Sequence, residues 1–434
     1  MNPCFDDALD ITLELVHLHF PDRAPNETTV IRDALGVLTV VLPDGVMDAD
    51  KLEIFASELH NALGRFSPGI PDVIVEQRDL IDRDDIIGSK DRVLLPNAPG
   101  VGLLDRLLTN QDWHREPLVA RPPLPTAAFF SIKGGVGRST AVAALAWYLA
   151  QIGRRVLVVD LDLEAPGVGG MMLAEAPDFG VADWCIESIT GGADRELFER
   201  MLAPSPVADG ASGSVMVVPA YGDKTKNYIA KVGRAYIPSL AAETMDVLGF
   251  SDRVLSLVIE ASRRLEPPDV VLLDSRAGLH DIGSALVTQL GAEVFLFFRT
   301  DLQNRECYSR LFGHLQLARS VKYGMPDDDL RWRLKTVAAQ LDGTTGAFEA
   351  ALMESYNTWE QFYDMERDPG TGFALEDCHA PHYPLSTVFD PRIRHINFLD
   401  SFAMPTNELM DSVFGNFIRG ATMRLFETSV EHLP

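Results

Sequence analysis

Lys133-Gly134-Gly135-Val136-Gly137-Arg138-Ser139-Thr140 is the stretch that decides the fold of this 434-residue chain. An apolar run, Ala127-Ala128-Phe129-Phe130-Ser131-Ile132, precedes it and reads as a buried strand. Ala141 to Ile152 follows and reads as a helix closed by Gly153. A strand, a glycine loop and a helix start in that order make a phosphate cradle. The glycines let backbone N–H groups approach phosphate oxygens, and the helix N-terminus adds a favourable dipole. Gly134, Gly135, Val136, Gly137, Arg138, Ser139 and Thr140 are therefore the candidate phosphate contacts, with Ser139 placed to hold Mg²⁺. The loop departs from G-x-x-x-x-G-K-[ST] twice: Arg138 replaces its lysine, and Ile132 stands at its first glycine.

Two further sites carry carboxylates. Asp160 and Asp162 close the apolar run Val156-Leu157-Val158-Val159, and Asp274 closes Val270-Val271-Leu272-Leu273. The ends of parallel strands face the ligand crevice of an open α/β sheet. Carboxylates there suit Mg²⁺ ligation through water and orientation of an attacking water. Asp162 has a second reading, as a cap for the next turn. Gly278 is placed as a switch glycine. Arg276 faces the phosphates, pairs with an acid such as Glu164, or lies at a dimer surface. Arg138 keeps a permanent charge and a planar fork where a lysine offers a compact ammonium, so binding is expected to survive the exchange, with the hydrolysis rate left open and a γ-phosphate sensor of slow turnover as one reading.

Lys133 to Thr140, with Asp160-Leu161-Asp162-Leu163-Glu164-Ala165-Pro166-Gly167 and Asp274-Ser275-Arg276-Ala277-Gly278-Leu279, resembles the ParA/MinD-type P-loop ATPases and their deviant Walker A loop KGGxGK[ST]. The resemblance covers about residues 126–300 well and 300–400 weakly, and says nothing about residues 1–120. It implies ATP and Mg²⁺ as cofactors, and a homodimer in which Lys133 reaches the partner's nucleotide. It gives Ser139, Asp160 and Asp274 to the metal side, and Lys133, Arg138 and Asp162 to catalysis. For the base it offers Gln340 and the loop from Pro384 to Arg392, where an ordinary turn is an equal reading. The KGGVGR form resembles a bacterial subfamily of conflict and signalling operons, which points to phage defence.

The bulk numbers narrow the choice. Formal charge is −25, from 38 basic and 63 acidic residues, and both the first 124 residues and the remainder are acidic. Such a chain repels a phosphate backbone, which disfavours nonspecific DNA binding. Cys4, Cys185, Cys307 and Cys378 are dispersed without a C-x-x-C, so they read as free thiols of a cytoplasmic protein. No run approaches 18 apolar residues, and no transmembrane span is expected.

The expected architecture is a doubly wound, mostly parallel α/β P-loop NTPase domain over 126–434. A smaller α+β domain covers 1–120, and a proline-rich linker, 121–125, lies between. In the first domain, helices are expected at 7–20 and 48–66, with Asp48 or Asp50 as N-cap. Strands are expected at 35–42 and 73–76, 22–28 is turn-like, and His17, His19 and His60 are scattered. In the second, strands are expected at 127–132, 155–161, 214–219, 269–274, 293–299 and 334–340. Helices alternate with them at 140–152, 239–265, 303–319, 347–364 and 406–428. Ala203 to Ser214 reads as a mobile surface loop. The last helix has an apolar face and few basic residues, so it packs on its own domain rather than on a membrane. The expected function is an ATP-controlled dimeric switch, with the N-terminal domain meeting a protein partner. A hydrolysis-deficient scaffold and a ParA-like DNA or cargo positioner are the alternatives.

Overall fold

The computed structural model describes residues 3–89, 91–95, 97–107, 109–118, 120–240, 247–316, 329–363, 373–395, 398–399 and 406–426. The chain forms two compact units, Met1–Glu116 and Pro117–Pro434. The proline-rich segment 121–125 belongs to the second. Leu118 N–H donates to Thr288 O at 2.7 Å, Arg121 pairs with Glu293, and Pro125 O accepts from Val271 N–H.

The first unit contains α1 (Phe5–His19), β1 (Thr28–Arg32), β2 (Leu38–Leu42), α2 (Ala49–Leu63), β3 (Ile74–Glu76), α3 (Arg83–Ile87), β4 (Arg92–Leu94), β5 (Val101–Asp105) and α4 (Gln111–His114). Its sheet runs β3-β2-β1-β5-β4, parallel at β2–β3 and β1–β5 and antiparallel elsewhere. Val30, Val40, Phe55 and Leu59 are in its core. Asp48 caps α2, accepting from Lys51 N–H at 3.0 Å. The strand expected at 35–42 begins only at Leu38, because Gly36 turns at φ +88° and leaves Leu35 exposed.

In the second unit the chain runs β6 (Thr126–Ser131), α5 (Arg138–Gln151), β7 (Arg155–Asp160), α6 (Val168–Met172), α7 (Val181–Thr190), α8 (Arg195–Glu199), β8 (Ala203–Pro204), β9 (Ser214–Val218) and α9 (Tyr228–Ala235). It continues through β10 (Ser239–Leu240), β11 (Val247–Leu248), α10 (Phe250–Ser262), β12 (Val270–Ala277), α11 (Asp281–Ser284), β13 (Glu293–Phe298) and α12 (Leu302–Leu315). It ends with α13 (Leu330–Arg333), β14 (Leu334–Leu341), α14 (Ala347–Tyr363), β15 (Leu385–Val388) and α15 (Asn407–Phe426). The sheet order is β15-β14-β13-β6-β12-β7-β9-β8. Every pairing is parallel except the edge pair β8–β9. Parallel strands covered on both faces need continuous apolar runs, and β6, β7, β12 and β13 supply them. α15 packs Phe417 against Phe129, Phe295 and Phe297, with ring centroids 5.6–6.2 Å apart.

Three expectations change. The segment 203–214 is anchored: Ala203–Pro204 extends the sheet, Val207 is buried, and Ser205 Oγ donates to Met172 O at 2.6 Å. The helix expected at 239–265 spans only 250–262. Asp252 accepts from Gly249 N–H and starts it there, while the buried Arg253 donates to Ala235 O at the end of α9 and to Ile237 O just beyond it. The 241–246 part of that expectation lies outside the described residues, as do 317–319, 364 and 427–428 of the later helices. The loop expected from Pro384 contains β15, an edge strand on β14.

Candidate functional site

β6, β7, β12 and β14 end on one edge of the sheet, and the loop between β6 and α5 lies at that edge. Gly135 and Gly137 take φ +73° and +80°, a region costly for residues with a Cβ, and Val136 between them is buried. The loop therefore turns sharply into the N-terminus of α5, where Ser139 and Thr140 form the first turn. Lys133 is half-buried and has no hydrogen bond or ion pair among the described residues.

Arg138 turns inward. It is only 8% exposed. Its Nε–H donates to Asp274 Oδ1 at 2.7 Å, its Nη1–H donates to Ser131 Oγ at 3.0 Å, and Nη2 lies 3.8 Å from Asp162 Oδ2. One guanidinium thus joins the end of β6, the middle of β12 and the loop after β7. Asp274 is fully buried, and its second oxygen, Oδ2, has no hydrogen-bond partner.

Asp160 stands beside Asp274 across the parallel ladder. Its Oδ1 accepts from Asp162 N–H at 3.2 Å, and its Oδ2 accepts from the N–H groups of Gly167 and Gly169 at 3.1 and 3.0 Å. It therefore pins the loop 161–169. Burial, then the neighbouring Asp274, pushes its pKa up to about 7. Asp162 accepts from Ala165 N–H at 3.0 Å, so it caps the turn and faces Arg138 as well. Burial raises its pKa above the usual carboxylate range. Arg276 pairs with Glu164 at 3.0 Å. Gly278 has φ +114° and donates to Ser131 O.

On the other flank of the loop, Gln340 at the end of β14 takes φ +56° and donates its side-chain N–H to Gly135 O at 3.1 Å. Its own N–H donates to Thr387 Oγ1. A cleft of about 440 Å³ opens there, bounded by Gly137, Thr140, Arg299, Gln340, Phe389 and Asp390. Pro384 precedes β15 and is not among the residues that line it.

Sequence reasoning missed the partners that join these pieces. Ser131, read as part of a buried strand, receives Arg138. Tyr228 donates to Leu163 O at 2.5 Å and Tyr236 to Glu164 at 2.9 Å, so α9 and its C-cap hold the loop after β7. No pattern in the sequence marked either tyrosine.

Magnesium fits part of this donor set. Ser139 stands on the first turn of α5, and Asp274 presents a buried oxygen without a partner. Asp160 fits less well, because both its oxygens already accept backbone N–H groups.

A strand, glycine loop and helix at the edge of a parallel sheet, with a carboxylate on the adjacent strand, define a P-loop nucleotide-binding domain. The sequence model of the CobQ/CobB/MinD/ParA nucleotide-binding domain matches residues 127–349, and the chain belongs to this family. Comparison with curated proteins finds no match. Solved structures similar to it include the pNOB8 ParA bound to nonspecific DNA, at 14% identity and TM-score 0.44, covering 70% of this chain and 99% of that one. The septum site-determining protein MinD of Pyrococcus horikoshii OT3, complexed with Mg-ADP, is 17% identical with TM-score 0.43 and coverage of 71% and 100%. Cobyrinic acid a,c-diamide synthase of Mycobacterium smegmatis, with bound ADP and magnesium, is 18% identical with TM-score 0.35 and coverage of 53% and 80%. Among the described residues, no helix is long and apolar enough to cross a membrane.

Proposed function

We propose that the chain binds ATP with Mg²⁺ at Lys133–Thr140 and works as a nucleotide-controlled dimeric switch. The observation that carries this reading is the loop itself: two positive-φ glycines lead into the helix start that bears Ser139, beside the buried, half-partnered Asp274. Backbone N–H groups and the α5 dipole receive the phosphates. Ser139 and Asp274 are the residues that would hold the metal, whose chemistry is to bridge phosphate oxygens and neutralise their charge. Asp162 stands where a water could be oriented. Calorimetry with ATP and Mg²⁺ should give binding that Ser139→Ala weakens, and no binding at millimolar nucleotide would end the proposal.

Lys133 is the cation left for a partner's phosphates. A triphosphate carries several negative charges, and a lysine supplied in trans couples the γ-phosphate to assembly. Light scattering should give a dimer with a slowly hydrolysed ATP analogue and a monomer with ADP. Lys133→Ala should abolish the difference, and equal masses with both nucleotides would reject the switch. The first unit is the proposed surface for a protein partner. A place in a bacterial multi-protein system, phage defence included, rests on the KGGVGR resemblance, and plating efficiency of phage on cells carrying wild type or Lys133→Ala tests it.

A second reading, a hydrolysis-deficient ATP-bound scaffold, is favoured by one contact: Arg138 is bound to carboxylates rather than directed along the loop. Phosphate release by purified protein separates the two. Charge weighs against the DNA or cargo positioner.

A further inference from the structure

Arg138 occupies the sequence position of a phosphate-binding cation, yet its guanidinium meets protein groups on three edges. We infer that Arg138 is the internal counter-cation of the Asp274–Asp162 pair, a positioning residue that fixes Asp274, and not the phosphate-binding cation its place in the loop suggests. The inference rests on the nucleotide-site reading above and deepens it, assigning phosphate charge neutralisation to Lys133 and the loop N–H groups.

The geometry supports this in three ways. First, the contacts use the fork. Nε, Nη1 and Nη2 each address a different element, β12, β6 and the loop after β7. An ammonium gathers its three donors at one point on a flexible stem, whereas the planar fork separates them and fixes their directions. Second, the charges need it. Asp160 and Asp274 are adjacent and fully buried. Asp160 has three backbone N–H donors, whereas Asp274 has, among the described residues, Arg138 as its one side-chain donor. An isolated buried carboxylate is costly, and a charge-assisted bond from a guanidinium offsets it. Third, the pairing leaves Asp274 Oδ2 without a partner and holds it in place. A cation that enters the site must then share Asp274 with Arg138. Metal affinity in the absence of nucleotide should therefore be suppressed by the guanidinium.

The test uses the full chain without nucleotide. Wild type, Arg138→Lys, Arg138→Met, Asp274→Asn and the Arg138→Met/Asp274→Asn double variant are compared by thermal melting and by Mn²⁺ titration followed by electron paramagnetic resonance. Arg138→Met should lower the melting temperature by on the order of 5–10 °C, since it strands a buried carboxylate, and the added Asp274→Asn should restore part of that loss. Arg138→Lys should recover less than half of it. Arg138→Met should also bind Mn²⁺ about tenfold more tightly than wild type, an effect a merely structural ion pair would not have. Equal melting of wild type and Arg138→Met, additive effects in the cycle, or unchanged Mn²⁺ affinity would overturn the inference.

Should Arg138→Met not fold, nuclear magnetic resonance of the arginine Nε–H groups reads the same contact in wild type and Asp274→Leu, which removes the acceptor. A slowly exchanging Nε–H that is lost in Asp274→Leu supports the pairing, and its absence from wild type or its retention in Asp274→Leu refutes it. Neither readout uses nucleotide, so a chain that fails to bind ATP would sink the proposed function and leave this result standing.

Discussion

The two flanks of the glycine loop are built on opposite plans. On one side Arg138, Asp160, Asp162 and Asp274 are buried, ionisable and already paired with one another or with backbone. On the other, Gln340, Arg299 and Phe389 border an open cleft, and Phe389 is 42% exposed. Buried charges must be satisfied in advance, because an unpaired one costs several kcal/mol; an open cleft leaves its polar groups to water. The closed flank is thus pre-set for charge, and the open flank is free to adapt to the shape of a base or another ring.

The sharpest way to break this contrast is Ser139→Ala. It removes a hydroxyl from the helix start next to the closed flank, where interactions with phosphate and metal are charge-assisted. We expect Mg-ATP affinity to fall by about 10- to 100-fold, roughly 1.4–2.8 kcal/mol, by isothermal calorimetry. A loss under threefold would mean that this flank does not hold the metal.

A smaller effect is expected from the open flank. Gln340→Ala and Phe389→Ala should each weaken nucleotide about 3- to 10-fold, a ring contact or one neutral hydrogen bond. Because neither residue sits among the charged groups, ATP and ADP should lose affinity equally. A variant here that separates ATP from ADP would erase the distinction between the flanks.

The closed flank was also the legible one. Glycine spacing, continuous apolar runs and aspartates at their ends are sequence patterns with a single physical cause, and β6, β7 and β12 fall within a few residues of the expected strands. The internal partner of Arg138 was not legible. Which neighbour a guanidinium meets depends on the register of β6 against β12, a long-range feature that local pattern does not encode. The open flank was legible at Gln340 and in the loop from Pro384 to Arg392, whose Phe389 and Asp390 border the cleft although Pro384 does not. Arg299 was not, because it stands on a separate loop and nothing in its neighbourhood marks it as meeting them. In the first unit, β5 went unread because Val101-Gly102-Leu103-Leu104-Asp105 carries a glycine and follows a proline-glycine turn.

Arg138 has a useful counterpart in Lys335, a second buried cation, on the same β14 that carries Gln340. Its Nζ donates to Cys378 O and Ala380 O at 3.2 and 2.7 Å and has no carboxylate in contact among the described residues. Burial, and then the charge of Arg424, push its pKa down to about 7. The consequence has a definite sign. In the unfolded chain Lys335 keeps its proton up to the ordinary lysine value of 10.5, while in the folded chain it loses it near 7. Between those values the unfolded state binds more protons, so stability rises with pH through this window and levels off above it. The melting temperature should climb by about 1–2 °C per pH unit between pH 7 and 9, relative to Lys335→Met, which lacks the titrating group. An identical slope in both proteins would show that the carbonyls of 378 and 380 keep the ammonium charged. Burial alone would then not be what sets Lys335 apart from the carboxylate-paired Arg138.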